Sequence, residues 1–127
     1  MKKGKKAKKE KKESREQSAP LLEELELPYD PLAYANEKAG GKWKLRILWA
    51  LKDQQGKRYG DLKRAVDGIT DMMLSQSLKE LVTDGYVSRA QYQEIPPRVE
   101  YTITKSGVVL IPIIEQIVDW AARDMQE

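Results

Sequence analysis

The spacing between apolar residues changes twice along this chain, and the order of those changes restricts the fold more than any other feature. In segments 42–52, 59–66 and 70–83, apolar residues recur every three or four positions, as on one face of a helix. Between residues 86 and 104 apolar and polar residues alternate instead, as along a strand, and from Lys105 a long apolar segment is again helical. The order predicts three helices, a β-hairpin and a long last helix.

Residues with special backbone preferences mark the ends of these segments. Gly56 follows the first helix and can adopt the positive φ that ends it, and Thr70 is suited to the N-cap of the third helix. Pro96 and Pro97 stiffen the turn between the two strands. Pro112 lies inside the last helix, where it removes a backbone hydrogen bond and should kink the helix at a cost of about 3 kcal/mol.

The composition excludes several chemistries. Neither Cys nor His occurs among the 127 residues, which rules out disulfides, cysteine nucleophiles, Ser-His relays and metal sites built on thiolate or imidazole. Carboxylate pairs such as Asp67 and Asp71 leave an acid-base or Mg²⁺ alternative, but no glycine-rich phosphate loop accompanies them. We therefore predict that the protein is not an enzyme and has no metal and no cofactor. No apolar run reaches bilayer length and no secretory segment leads the chain, so we expect a cytoplasmic protein without membrane contact.

The positive charge of the chain is concentrated at its beginning. Residues 1–16 hold nine basic and three acidic residues, a net charge of +6, whereas the remainder holds 14 basic and 17 acidic residues, a net charge of −3. We predict a disordered basic tail over residues 1–18 and one folded domain over 19–127, with short helices over 21–27 and 32–38. The tail can act as a polycation on nucleic-acid phosphates, or it can simply keep the protein soluble and touch RNA or acidic lipid without selection.

The predicted elements, taken in order, form a winged helix-turn-helix. Two helices joined by the Asp67-Gly68 turn precede the hairpin, and Leu74, Leu78 and Leu81 give the second of these helices an aliphatic inner side. We therefore predict an α+β fold, mainly α, with a two-stranded β-hairpin wing. Held from behind in this way, the second helix can place its hydrophilic side in the major groove of DNA.

The outer side of that helix supplies candidates for base contacts. Gln76 can form a bidentate hydrogen-bond pair with adenine, and Met72 can contact a thymine methyl group. Asp71 can accept from a cytosine amino group or stabilise the helix N-terminus, and Arg98 at the hairpin tip can project toward the minor groove or its phosphates. The full predicted DNA-binding set is Lys57, Arg58, Lys63, Arg64, Asp71, Met72, Ser75, Gln76, Lys79 and Arg98.

Each of these residues also has a purely structural interpretation. Every amphipathic helix has a polar outer side, and cations on a surface helix or in a turn are commonly just solvated. A winged helix whose mildly acidic body binds another protein instead of DNA is the main alternative function. A small-molecule pocket near Trp43 and Trp120 is a further alternative. The aromatic residues fall mostly on inward positions and are predicted to pack in the core; they are Trp43, Trp49, Tyr86, Tyr92, Tyr101 and Trp120.

Several motifs resemble the HxlR-type family of bacterial and archaeal transcriptional regulators. The specific ones are the Gly-Lys-Trp start of segment 40–51 and the Pro-Pro-Arg-Val-Glu-Tyr hairpin at 96–101, and segments 59–62, 69–81 and 84–87 extend the likeness. It covers residues 29–124, nearly all of the predicted folded body. The resemblance implies that Met72, Ser75, Gln76 and Lys79 are the outward residues of the recognition helix and that Arg98 is the arginine of the wing.

The resemblance also implies a homodimer that binds double-stranded DNA. The N-terminal helix and the long C-terminal dimerisation helix would build the interface, which agrees with the broad apolar surface over residues 108–122. Two-fold symmetry would place the recognition helices roughly 34–36 Å apart and require a pseudo-palindromic operator. The predicted interface residues are Leu21, Leu22, Leu25, Leu110, Ile113, Ile114, Ile117 and Trp120.

The chain departs from the family at one point that concerns regulation. Many members carry a cysteine just before the central helix and some sense oxidants through it, whereas residues 30–36 of this chain contain none. Thiol sensing is therefore impossible in this protein, and any signal must be non-covalent or absent. A small-molecule effector is conceivable, but no residue indicates one.

Overall fold

The computed structural model describes residues 25–126, and its secondary structure in that range is mainly helical. The helices are α1 (Pro31–Ala39), α2 (Lys44–Ala50), α3 (Tyr59–Ala65), α4 (Asp71–Thr83), α5 (Lys105–Val108) and α6 (Ile111–Met125), and the strands are β1 (Val87–Tyr92) and β2 (Arg98–Ile103). The predicted tail over residues 1–18 and the predicted interface residues Leu21 and Leu22 lie outside the described residues. By their contacts, the residues up to Tyr34 and those from Ala35 onward form two units.

One aliphatic core holds together α2, α3, α4, α6 and the hairpin. Its side chains are between 0% and 6% exposed, and full burial of one such side chain contributes roughly 1.5–3 kcal/mol. The core lies behind α4, which therefore cannot shift without opening it. Its members are Ile47, Leu48, Leu51, Leu62, Val66, Ile69, Leu74, Leu78, Leu81, Val87, Ile103 and Ile114.

Helix α4 begins where the sequence predicts. The Thr70 hydroxyl oxygen accepts a hydrogen bond from the Met73 backbone N–H at 3.2 Å, which satisfies one of the amides that a helix start leaves without an intrahelical partner. On the same helix the polar Ser77 is buried, whereas the apolar Met73 is 37% exposed. The inner side of α4 is thus formed by Leu74, Ser77, Leu78 and Leu81.

The hairpin is confirmed, and it is tied to the loop before α3. Strands β1 and β2 pair antiparallel from Val87 opposite Ile103 to Tyr92 opposite Arg98. Beyond this ladder, Lys57 and Tyr101 exchange two backbone hydrogen bonds, at 2.9 and 2.8 Å. Since α3 starts two residues after Lys57, this bridge fixes the position of the hairpin relative to the helix pair.

The turn after α2 differs from the prediction that Gly56 ends the helix with a positive φ. The positive φ, 65°, belongs to Gln54. Gly56 has a different constraint: a Cβ at this position would collide with the carboxylate of Glu100. The glycine thus leaves room for the Glu100 side chain of β2, and its own φ is not positive.

The predicted kink at Pro112 is also wrong. The apolar C-terminal segment forms two helices, α5 and α6, and Pro112 lies in the first turn of α6, where its missing N–H has no intrahelical partner to lose. The break falls where Pro112, which has no N–H, could not donate to the Val108 carbonyl oxygen of a continuous helix. Helix α5 is itself closely packed, since a Cβ on Gly107 would meet the Tyr86 carbonyl oxygen and the Ile103 side chain. Because α5 ends at Val108 and α6 begins at Ile111, Pro112 lies at a helix start, where it costs no backbone hydrogen bond.

Several predicted apolar positions on the C-terminal part need correction. Ile114 is 4% exposed and belongs to the core, so it leaves no surface for a second chain, and Leu110 is partly buried against the same core. Tyr92 and Trp120 are 40% and 64% exposed, contrary to the prediction that they pack inside. The other aromatic residues of the predicted set are partly buried and pack against the core; they are Trp43, Trp49, Tyr86 and Tyr101.

Residues 25–34 carry a group of exposed apolar side chains. Leu25 is 37% exposed, Leu32 is 78% exposed, and the ring centroids of Tyr29 and Tyr34 lie 5.9 Å apart. The Asp30 carboxylate accepts from the Leu32 backbone N–H at 3.0 Å at the start of α1. Among the described residues, the helices are too short or too polar for any of them to span a bilayer.

Candidate nucleic-acid interface

The outer side of α4 brings together five of the residues that the sequence predicts to contact DNA. All five are exposed, Met72 by 70%, and they lie opposite the buried leucines of the same helix. Because a 3.6-residue period puts these positions on one side, they form a continuous strip along α4. They are Asp71, Met72, Ser75, Gln76 and Lys79.

A tyrosine on α3 fixes the start of this strip. The Tyr59 hydroxyl lies 3.0 Å from the Asp71 carbonyl oxygen, 3.1 Å from its carboxylate and 3.2 Å from the Ser75 hydroxyl. A phenol has one proton, so it can donate to one of the Asp71 oxygens while it accepts from Ser75. Lys63 adds an ion pair with Asp71 at 3.3 Å. Asp71 is therefore engaged within the helix pair, as a residue at the α4 N-terminus.

Most of the cations on the α3 side that were predicted to contact DNA have acidic partners. Lys57 pairs with Asp53 at 2.7 Å, and Arg64 pairs with Asp61 at 2.7 Å. The hydrogen bond from Lys57 is the main cause that lowers the pKa of Asp53. Arg58 is exposed and has no ion pair among the described residues.

Asp61 has a second role in the same place. Its carboxylate accepts a hydrogen bond from the Arg58 backbone N–H at 3.0 Å, and this bond, ahead of the charge of Arg64, holds the pKa of Asp61 below its ordinary value. Asp61 thus both caps the start of α3 and cancels the charge of Arg64. We call Lys57, Lys63, Arg64 and their carboxylate partners the paired flank.

Arg98 does not project freely from the hairpin as the sequence suggests. It is the first residue of β2, and its guanidinium lies 2.9 Å from Glu94, 2.9 Å from Glu100 and 4.2 Å above the ring of Tyr92. Its Nε is buried without a hydrogen-bond partner. The side chain therefore packs along the hairpin, because two carboxylates and a ring offer it more than solvent does.

A notch between α4 and β1 contains a cation that sequence reasoning missed. The notch has a volume of about 340 Å³, and Tyr59, Ser75, Lys79, Arg89 and Tyr101 are among its lining residues. Lys79 and Arg89 are exposed, and neither has an ion pair within residues 25–126. The lining contains no carboxylate, so the notch is positively charged.

One signal in the sequence could have found Arg89. Side chains alternate along a strand, so Arg89 shares a face of the hairpin with Val87, whose side chain is buried. Arg89 is two positions after Val87, so its side chain points to the same side of the hairpin, toward the neighbouring helix α4. It lies there outside the core. That neighbour is set by the tertiary packing.

One model of a protein family matches most of this chain. The model described as HxlR-like helix-turn-helix matches residues 39–127. The chain is also 44% identical over 90 residues to YdzF of Bacillus subtilis, an uncharacterized HTH-type transcriptional regulator, which covers 71% of this chain and 83% of that protein.

Solved structures agree with the predicted fold. The crystal structure of the HTH-type transcriptional regulator YtcD matches with a TM-score of 0.73 and 36% identity, over 78% of this chain and 100% of that one. The redox regulator HypR in its oxidized form matches with a TM-score of 0.70 and 36% identity, over 74% of this chain and 96% of that one. These matches confirm a mainly α winged helix-turn-helix with a hairpin wing.

Proposed function

This chain belongs to the HxlR-like helix-turn-helix family and is a DNA-binding transcriptional regulator, and from that premise we propose that it binds a pseudo-palindromic operator as a homodimer. The observation that carries the proposal is the strip on α4, an exposed polar surface held rigidly by a leucine core on its other side. In the proposed complex this strip lies in the major groove, where an α-helix fits and base edges are distinguishable.

The proposed base contacts come from two side chains of the strip. Gln76 donates to and accepts from one adenine, and Met72, with its exposed thioether, contacts a thymine methyl group. Ser75, held by Tyr59, is close enough to the same groove to contact a base or a phosphate.

The proposed phosphate contacts come from the notch more than from the paired flank. Lys79 and Arg89 carry charges that no carboxylate within residues 25–126 cancels; Lys79 belongs to the strip, and Arg89 lines the same notch beside it. Arg58, exposed and without an ion pair within residues 25–126, is the corresponding cation on the α3 side. The other predicted cations can bind a phosphate only if it replaces their present carboxylate partners; they are Lys57, Lys63, Arg64 and Arg98.

The proposed dimer is supported by an uncovered apolar stripe on α6. Ile113, Ile117 and Trp120 are 50%, 42% and 64% exposed, and their spacing places them on one side of the helix. Such a stripe gains stability when it is covered, and a second copy related by a two-fold axis presents the same stripe. Leu25 is an exposed apolar residue that the proposed interface also includes.

We propose that the protein works by occupying DNA and not by catalysis. The relatives and structural neighbours named above are regulators. A winged helix that binds another protein is the second candidate, and the net charge of −3 on residues 17–127 favours it. Titration with salt of the binding to random duplex DNA separates the two, because only phosphate contacts give a steep dependence on salt.

The proposal is tested by selecting bound duplexes from a random-sequence pool. We expect enrichment of a site with two inverted halves whose centres are about one helical turn apart, roughly 34–36 Å. Gln76→Ala should weaken binding to that site by about 1–3 kcal/mol and leave scrambled duplexes almost unaffected. Failure of the wild-type protein to enrich any sequence would overturn the proposal.

The dimer is tested on its own by sedimentation of wild-type protein and Ile117→Glu. We expect a dimer for the former and a monomer for the latter, since a carboxylate on the apolar stripe would have to be desolvated in the interface. Glu115→Ala, on the same helix and exposed, is the matched control and should remain dimeric. A wild-type monomer at micromolar concentration contradicts the proposed interface.

A further inference from the structure

A lysine on α2 forms an ion pair with α4, the helix that carries the proposed base contacts. The Lys44 side chain is 11% exposed, and its ammonium group lies 2.8 Å from a carboxylate oxygen of Glu80 on α4. The same nitrogen donates to the Glu37 carbonyl oxygen at 3.3 Å. A nearly buried ammonium group with two acceptors is held in place more firmly than an exposed lysine.

The carboxylate that Lys44 holds is also bound to the proposed base-reading residue. Gln76 Nε2 donates to the second carboxylate oxygen of Glu80 at 3.3 Å. The hydrogen bonds from Lys44 and Gln76 lower the pKa of Glu80, in that order, so Glu80 remains an acceptor at neutral pH. Lys44, Glu80 and Gln76 thus form one connected chain of contacts from the interior to the outer side of α4.

The hydrogen bond to Glu80 determines which end of the Gln76 side-chain amide is available to a base. A side-chain amide has an acceptor end and a donor end of nearly equal size, and recognition of adenine requires both in a fixed order. An ionised carboxylate accepts only, so Glu80 selects the orientation in which Nε2 faces it. Nε2 retains a second proton for adenine N7, and Oε1 is left to accept from the adenine amino group.

We propose that Glu80, held by Lys44, is a positioning residue that sets the orientation of the Gln76 amide and thereby the base that Gln76 selects. The proposal rests on the proposed function, in which Gln76 contacts a base. A Gln and a Glu four residues apart on an isolated helix interact only weakly. The contribution of Lys44 is to restrict Glu80 to the rotamer that faces Gln76, so that order is transmitted from α2 to the outer side of α4.

The test is a double-mutant cycle on the full-length chain. Wild-type protein first selects its preferred duplex from a random pool, and a second duplex differs from it only at the base pair at which Gln76→Ala loses its preference. Affinity for both duplexes is measured for wild type, Gln76→Ala, Glu80→Ala, Lys44→Met and the Gln76→Ala/Glu80→Ala double variant. The readout is the ratio of the two affinities, which a loss of general stability does not change.

We expect Glu80→Ala and Lys44→Met each to lower the wild-type ratio by about threefold to tenfold, the effect of one lost hydrogen bond. The double variant should have the same ratio as Gln76→Ala, because Glu80 acts through Gln76. Glu115→Ala on α6 is the matched control and should keep the wild-type ratio. If Lys44→Met fails to fold, Glu80→Ala decides the outcome, since the Glu80 side chain is 45% exposed and is not part of the core.

The possible failures are distinguishable. An unchanged ratio in Glu80→Ala, or an equal loss in the presence and absence of Gln76, overturns the positioning role while DNA recognition stands. The positioning role is also overturned if Gln76→Ala keeps the wild-type preference at every base pair of the site, because Glu80 then has no base-reading partner. A wild-type protein that prefers no duplex overturns the proposed function itself, and the positioning role with it.

Discussion

The paired flank on α3 and the notch between α4 and β1 have similar numbers of cations and very different charges. Lys57, Lys63 and Arg64 each lie within 3.3 Å of a carboxylate oxygen. Lys79 and Arg89 share a 340 Å³ notch whose lining has no acidic residue. The positive charge available to a phosphate therefore depends on which cations the fold leaves without acidic partners, and a count of Lys and Arg does not reveal it.

The largest effect should come from removing the two notch charges together. We expect the double variant Lys79→Gln/Arg89→Gln to bind random duplex DNA at least tenfold more weakly near 0.1 M salt and to reduce the slope of log affinity against log salt by about 2. The matched control is Lys63→Gln/Arg64→Gln, which removes two charges that carboxylates already cancel. Its slope should change by less than 1. Equal changes in the two variants would erase the distinction between notch and flank.

A smaller effect should follow from freeing one cation of the flank. Asp71→Asn removes the carboxylate that pairs with Lys63 and leaves an amide oxygen that can still accept from Tyr59. We expect affinity for random duplexes to rise about twofold to fivefold, because one repulsive charge near the phosphates disappears and Lys63 is released. Asp119→Asn on α6 serves as the control and should have no effect. A decrease in affinity would show that Asp71 contributes a contact of its own, such as one to a cytosine amino group.

The smallest effect concerns the stability of the flank and its dependence on pH. The pKa of Asp61 is lowered in the folded protein, chiefly by the Arg58 N–H, so its ionised form stabilises the fold above its ordinary pKa of 3.8. That contribution disappears as the pH falls through the lower folded value. We expect Asp61→Asn to have a lower Tm than wild type at pH 7 and a difference that narrows below about pH 4.

The same Asp61→Asn variant should also change DNA binding by the paired flank. It releases Arg64, so random-duplex affinity at pH 7 should rise slightly while Tm falls. Thermal unfolding from pH 7 to pH 3 and duplex titration measure both quantities on one protein. A Tm difference that is constant over that range would show that the Asp61 charge does not support α3.

Much of the fold followed from local patterns. The helix cap at Thr70, the leucine side of α4 and the pairing of two alternating strands are short-range features, and each was predicted from neighbouring residues. The predictions that were wrong depend on neighbours far away in sequence. The helix that Pro112 was predicted to kink is two helices, of which α5 packs through Gly107 against Tyr86 and Ile103, and Gly56 leaves room for the Glu100 side chain without a positive φ.

The candidate site shows the same division. Helical periodicity alone placed Asp71, Met72, Ser75, Gln76 and Lys79 on one side of a helix, and the structure has them there. The interior link from Lys44 to Glu80 joins two helices whose contact no local pattern predicts. Arg89 was missed because the alternation of β1 tells which residues share a face and does not tell which helix that face meets.

The order of the elements, the helix that presents a polar strip and the lack of thiol and imidazole side chains can all be read from residue types and from spacings of a few positions. Which charges are free, which are cancelled and which side chain holds Gln76 depend instead on how the helices and strands pack together. Ion pairs form over about 4 Å between residues that the fold brings together from distant parts of the chain, and the one-dimensional order does not contain those distances.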